Sequence, residues 1–306
     1  MRRTALLGAL SLILSASGQA VACVNAFGTD HDGHRFHAFH YTGDDLASVL
    51  TKGASRSHWV KEAYRYKDRA INAPSYENAT NYGVSLLYQG HVVPAMSLFL
   101  RLEQLYPGRP QTAANLGTAL ELAGHDAVAL KWIRVGIRRD GGEHDGTEWL
   151  HARILQAKLA DSAGKWDRRR SIAGVAFTDA LIPPVPTTMP AGNDGNPVEP
   201  NELDRAFRYQ LGERMQFVRS KDWVVANLLS DWATLNLAGG PIENAKALHG
   251  LAIRYGEPQT LQWARRTAHV DRVLSKAKDP KREAFGCPIC DPPPPPPLPP
   301  PAPRAG

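Results

Sequence analysis

Small and apolar residues in the middle of the chain repeat every 34 positions. Between residues 76 and 143 they recur at the three- and four-residue spacing of amphipathic helices, and glycines and prolines interrupt them. A shift of 34 residues superposes six pairs: Asn81 with Asn115, Gly83 with Gly117, Leu86 with Leu120, Gly90 with Gly124, Ala95 with Ala129, and Phe99 with Ile133. Such a period indicates stacked supersecondary units.

Each period predicts one helix–turn–helix unit, over 76–109 and 110–143. The small residues have three roles: close approach of the two helices at Gly83 and Gly117, the end of the first helix at Gly90 and Gly124, and room for the second helix at Ala95 and Ala129. The same spacing predicts a partial unit over 144–163 and a degenerate unit over 226–258.

The order of these residues resembles the tetratricopeptide repeat family. The resemblance implies an all-α solenoid of helix hairpins, in which the first helices line a concave groove for a peptide or protein partner. The positions that would line this groove are Asn81, Val84, Tyr88, Asn115, Thr118 and Trp149. Some family members clamp a carboxylate with basic residues, but Glu77, Thr80, Gln111 and Ala114 stand here. An internal segment or a protein surface is therefore the expected partner.

A small hairpin and a helical leader are predicted before the repeats. An Asp-Gly turn at 32–33 separates possible strands over Ala26–Thr29 and Arg35–Tyr41. Helices are expected over Asp45–Leu50 and Ser57–Ile71. The His-rich segment 23–45 thus precedes a helical region over 46–180.

Prolines mark the later boundaries. Six prolines fall between Pro183 and Pro200, and eleven fall between Pro288 and Pro303. They predict a linker over 181–200, a second helical block over 201–275 and a disordered or polyproline tail over 276–306.

The first 22 residues have the pattern of a secretory signal peptide. Two arginines precede a short apolar run, and Ala20-Val21-Ala22 supplies a cleavage site. Two alternatives stay open at Cys23: simple cleavage before it, or attachment of lipid to it as in bacterial lipoproteins. The protein is expected to be exported, either as a free periplasmic protein or as a lipoprotein held to a membrane only by that lipid.

The charge pattern argues against nucleic acid as a partner. The net charge is +6, and the basic residues are spread among acidic ones along the helical segments. No dense basic run is interleaved with aromatic residues, as a nucleic-acid surface would need.

Two groups of histidines are candidate metal ligands. His31, His34, His37 and His40 recur every three residues, so in a strand alternate members face opposite sides. His144, Glu148 and His151 share one face of a predicted helix. Solvated surface histidines are the alternative in both cases, and neither a metal nor another cofactor is predicted.

Cys287 and Cys290 form a lone C-x-x-C, for which a local disulfide is the expected state in an oxidising compartment. No catalytic motif accompanies them, so the sequence predicts no enzyme. The leading hypothesis is a non-enzymatic envelope scaffold or adaptor that binds a peptide or protein in its helical groove. The alternative is a metal-handling protein that uses the N-terminal histidines.

Overall fold

The computed structural model describes residues 26–38, 40–278 and 287–290. Over these ranges the chain is mainly α-helical and carries one two-stranded antiparallel sheet. The predicted mainly helical architecture is therefore confirmed. The signal sequence, Cys23 and the proline run after residue 290 lie outside the described residues.

The predicted β-hairpin is present. Strand β1 (Ala26–Thr29) pairs antiparallel with β2 (Arg35–Ala38), so that Phe27 stands opposite His37. Asp30 holds the turn, because its carboxylate accepts hydrogen bonds from two backbone amides within it. The second strand ends at Ala38, three residues earlier than expected.

Helices make up most of the remaining structure. In chain order they are α1 (Gly43–Lys52), α2 (Ala54–Lys61), α3 (Ala63–Asn72), α4 (Tyr76–Tyr88), α5 (Val92–Leu105), α6 (Pro110–Leu122), α7 (Asp126–Arg139), α8 (Glu148–Ser162), α9 (Pro200–Arg214), α10 (Trp223–Gly239), α11 (Ile242–Tyr255) and α12 (Leu261–Leu274). A short 3-10 turn, Glu143–Gly146, precedes α8.

The helices α4 to α7 form two successive hairpins of the same construction. A Cβ on Gly83 would lie 2.7 Å from the Phe99 ring, and one on Gly117 would lie 2.5 Å from Ile133 Cδ1. The first helix of each hairpin ends in the same way, because Gly90 and Gly124 have φ of +85° and +81°. The following amide reaches back to the carbonyl five residues earlier in both cases, at 2.8 Å.

The helix expected over Ser57–Ile71 is instead divided into α2 and α3. Glu62 leaves the helical conformation between them, with φ of −88° and ψ of 2°. Tyr66 of α3 lies seven residues after Trp59 of α2, and their ring centroids are 4.7 Å apart. The two aromatic rings are therefore in contact across the break.

Two buried clusters meet at α8. Ala152 and Leu155 belong to the cluster of α4–α7, whereas Leu150 and Ile154 belong to a second cluster formed with α9–α11. Between α8 and α9 the chain contains no helix, yet Ile172 of this segment is buried. The α8 helix thus joins the repeat hairpins to the second helical block.

Candidate functional site

A pocket of about 200 Å³ lies where α4, α6 and α8 approach α9; it is called the groove pocket below. Trp59 of α2 and two residues after α9 also contribute to its walls. Its lining residues are Trp59, Val84, Leu87, Tyr88, Asn115, Thr118, Glu121, Leu122, His144, Glu148, His151, Tyr209, Gln210, Glu213, Arg214, Phe217 and Val218.

Four of the six expected groove positions line this pocket: Val84, Tyr88, Asn115 and Thr118. Asn81 is half-buried one turn earlier on α4 and is not in the lining. Trp149 is 5% exposed and packs in the second core cluster. Whereas Asn81 and Asn115 are each the sixth residue of a helix, Trp149 is only the second residue of α8. Trp149 therefore does not occupy the position equivalent to Asn81 and Asn115, and its prediction as a groove residue is wrong.

Helix α9 packs across the surface that the family resemblance assigns to a partner. Arg214 Nη2 donates to both carboxylate oxygens of Glu121 on α6, at 2.9 and 3.0 Å. Gln210 Nε2 donates to Thr147 Oγ1 at 3.1 Å. These bonds dock α9 against α6 and the start of α8, so α9 covers part of the surface where the groove is predicted.

Glu121 is the centre of a buried ion network. Besides Arg214, it accepts hydrogen bonds from His151 Nε2 at 2.8 Å and Lys158 Nζ at 2.9 Å. Burial by itself raises the pKa of the Glu121 carboxyl, but Arg214, His151 and Lys158 outweigh burial and hold that pKa well below its usual value. Glu121 is therefore a carboxylate with several cationic donors, as a buried charge requires.

Glu148 lies between the two histidines that the sequence placed on the same helix face. Its Oε1 is 2.5 Å from His144 Nδ1, and its Oε2 is 3.3 Å from His151 Nδ1. Burial favours the neutral acid, yet the histidines outweigh it and lower the pKa of Glu148 to about 2. Burial likewise disfavours charge on His151, but hydrogen bonds to Glu121 and Glu148 raise its pKa to about 9. These side chains meet as ion pairs.

The backbone that presents His144 is unusual. His144 and Asp145 have φ of 52° and 55°, a left-handed conformation that non-glycine residues adopt rarely. The imidazole of His144 also stacks on Tyr209 of α9, with ring centroids 5.4 Å apart. The turn before α8 thus holds His144 between the carboxylate of Glu148 and the ring of Tyr209.

Aromatic rings form another wall of the groove pocket. Trp59 is parallel to Tyr88 at 6.0 Å, and Phe217 lies 4.8 Å from Tyr88. The Tyr88 hydroxyl donates to Glu213 Oε2 at 2.8 Å. Burial and the Glu213 carboxylate both raise the pKa of Tyr88, so its hydroxyl is a neutral donor. Glu213 itself is exposed at this edge of the pocket.

The N-terminal histidines are distributed around the β-hairpin. His31 lies 3.7 Å from Asp32, His34 lies 3.4 Å from Asp30, and the His37 ring contacts Phe27. His40 is exposed beyond β2. Over the ranges that the structure describes, no group of three His, Cys, Asp or Glu side chains is arranged to hold a metal ion.

Cys287 and Cys290 are joined by a disulfide bond. Cys287 is buried, and Ile289 is only 1% exposed in the same core cluster as α10. A Cβ on Gly240 would lie 2.7 Å from Ile289 Cδ1, so this glycine leaves room for the segment. The tail was expected to be disordered from residue 276, and these four residues differ from that expectation because an apolar side chain finds a site in the core.

No helix in the described part of the chain has both the length and the apolar character needed to cross a membrane. Searches against protein-family models and against curated proteins gave no match to this chain.

Proposed function

We propose that this protein is a non-enzymatic, tetratricopeptide-like binding protein that recognises a peptide or protein partner. Its helix α9 fills part of the repeat groove, and the remaining groove pocket accepts one side chain of the partner. The main support is that the first helices of both hairpins line one pocket. They do so with Val84 and Tyr88 on α4 and with Asn115 and Thr118 on α6.

The dimensions and lining of the pocket support this proposal. Pockets for drug-sized molecules usually enclose about 300–1,000 Å³, so a volume of about 200 Å³ suits a smaller group. Among the lining residues, Glu121 already pairs with His151 and Arg214, and the aromatic and aliphatic side chains remain for the incoming group. A side chain that projects from a bound peptide meets both conditions.

A pocket-filling substitution tests the proposal. Thr118→Trp places a large ring in the pocket, whereas Val128→Trp places the same ring on an exposed position of α7. Peptides selected from a random heptapeptide library on the wild-type protein should bind Thr118→Trp at least roughly tenfold more weakly, a loss of about 1.4 kcal/mol. Val128→Trp should bind like the wild type. Equal binding to all three proteins, or no selected peptide, would contradict the proposal.

A further inference from the structure

The groove pocket combines several aromatic rings with carboxylates. Trp59, Tyr88, Tyr209 and Phe217 all line it, and Val84 and Leu122 add aliphatic surface. The face of an aromatic ring carries negative electrostatic potential and attracts cations within about 6 Å. Several rings around one cavity are therefore suited to an alkylammonium group with an apolar stem.

The ion pairs in the pocket leave one carboxylate available. Glu121 is matched by Arg214, His151 and Lys158, and Glu148 is matched by the two histidines. Among the residues that the structure describes, Glu213 has no cationic partner within ion-pair distance, and its recorded donor is the Tyr88 hydroxyl. Because Glu213 is exposed, this charge stands at the opening, where a ligand enters.

One further atom of the lining, Arg214 Nε, is buried and has no hydrogen-bond partner among the described residues. Glu148 Oε2 is not an open acceptor, because it lies 3.3 Å from His151 Nδ1 in an ion pair. Arg214 does not repel a cation strongly, because both oxygens of Glu121 neutralise its charge.

We propose that the groove pocket binds the side chain of a lysine from the partner. The butyl stem packs on the aromatic and aliphatic walls, and the ammonium group pairs with Glu213 beside the ring of Tyr88. This assignment rests on the proposed function, because it names the side chain that the pocket accepts. Charge decides the choice: the available group at the opening is a carboxylate, which attracts a cationic side chain and repels an acidic one.

Small derivatives of single amino acids test the assignment directly. The probes are the N-acetyl methylamides of lysine, norleucine and glutamate, and tetramethylammonium, each titrated by calorimetry against the full chain. Norleucine has the same stem as lysine without the charge, so it isolates the contribution of the ammonium group. We expect the lysine derivative to bind about tenfold more tightly than the norleucine derivative, and the glutamate derivative to bind most weakly.

Substitution of Glu213 supplies the second comparison. Glu213→Gln should lower the affinity for the lysine derivative about tenfold and leave the norleucine derivative unchanged. Asp45→Asn removes an exposed carboxylate of α1 and controls for the overall charge; it should change neither affinity. Equal binding of lysine and norleucine, or no effect of Glu213→Gln, would overturn the assignment. Tetramethylammonium binding as tightly as the lysine derivative would overturn it in favour of a free quaternary amine.

The two proposals fail in different ways. If selected peptides still lose affinity for Thr118→Trp while the lysine derivative has no advantage, the pocket binds a partner and lysine is the wrong side chain. If Thr118→Trp changes the affinity of no peptide and of no derivative, the groove pocket is not a binding site and both proposals fall.

Discussion

At the scale of single residues, Gly83 and Gly117 determine how closely the paired helices pack. Each glycine lies directly against a large apolar side chain of the next helix, Phe99 or Ile133. Both of these side chains are fully buried. A methyl group at either glycine would have to displace a well-packed side chain, which usually costs more than the gain in helix propensity from alanine.

Gly117→Ala should therefore lower the free energy of unfolding by about 1–3 kcal/mol. The matched control is Gly250→Ala in α11, because a Cβ there would meet no atom within 4 Å. That change should stabilise the protein by about 0.5–1 kcal/mol, since alanine favours the helix over glycine. Urea unfolding followed by circular dichroism measures both. Equal effects of the two substitutions would show that close packing at Gly117 does not limit stability.

His151 makes the stability of the protein depend on pH. Its pKa rises from 6.5 to about 9 on folding because Glu121 and Glu148 hold the charged form against the effect of burial. The protonated form of His151 therefore stabilises the folded protein. This stabilisation is complete below about pH 6.5 and is lost as the pH rises through about 9. The loss amounts to roughly 3 kcal/mol over that interval.

His151→Gln should remove most of this pH dependence. Glutamine still offers a hydrogen-bond donor but does not titrate, so the free energy of unfolding should fall less between pH 6.5 and pH 9.5 than in the wild type. Against the effect of burial, Glu148 also raises the pKa of His144, so a smaller decline remains. His58→Gln, which changes an exposed histidine of α2, should retain the wild-type decline. Urea titrations at a series of pH values make the comparison. A decline of the same size in His151→Gln would place its origin in other groups.

At the scale of elements, the periodic helices could be predicted and the docking of α9 could not. The helix ends near Gly90 and Gly124 follow from a local requirement for positive φ, which glycine meets at low cost. The contact between Arg214 and Glu121 joins residues 93 positions apart, and no periodic pattern indicates it. Helix α9 falls at the start of the helical block predicted over 201–275, but no sequence pattern indicates that it packs against α6 and the start of α8.

The region between α8 and α9 illustrates the same limit. Prolines predicted a linker over 181–200 after a helical region over 46–180, whereas the segment without helix runs from Ala163 to Glu199 and begins 18 residues before the predicted linker. Yet Asn227 of α10 accepts from the amide of Ile172 and donates to two carbonyls of the same segment. Side-chain bonds to backbone groups hold this segment, and composition alone does not reveal such bonds.

At the scale of the whole molecule, residues near both ends of the described chain complete one core. Phe36 of β2 and Leu46 of α1 belong to the same buried cluster as Cys287 and Ile289. Thr29 of the hairpin also donates to the carboxylate of Glu243 on α11. The second helical block is therefore stabilised by the hairpin and by the Cys287–Cys290 segment together.

Ile289 provides the test of this organisation. Since its side chain is 1% exposed, Ile289→Ala should lower the free energy of unfolding by about 2–5 kcal/mol through lost burial and the cavity left behind. Leu261→Ala removes an apolar side chain that is 82% exposed, and its effect should stay within about 0.5 kcal/mol. Urea unfolding followed by tryptophan fluorescence measures both variants, because Trp149, Trp232 and Trp263 lie in the same cluster as Ile289. An equally small effect of both substitutions would show that residues 287–290 are not part of the core. The hairpin, α1 and α9–α11 would then stabilise the second helical block without them.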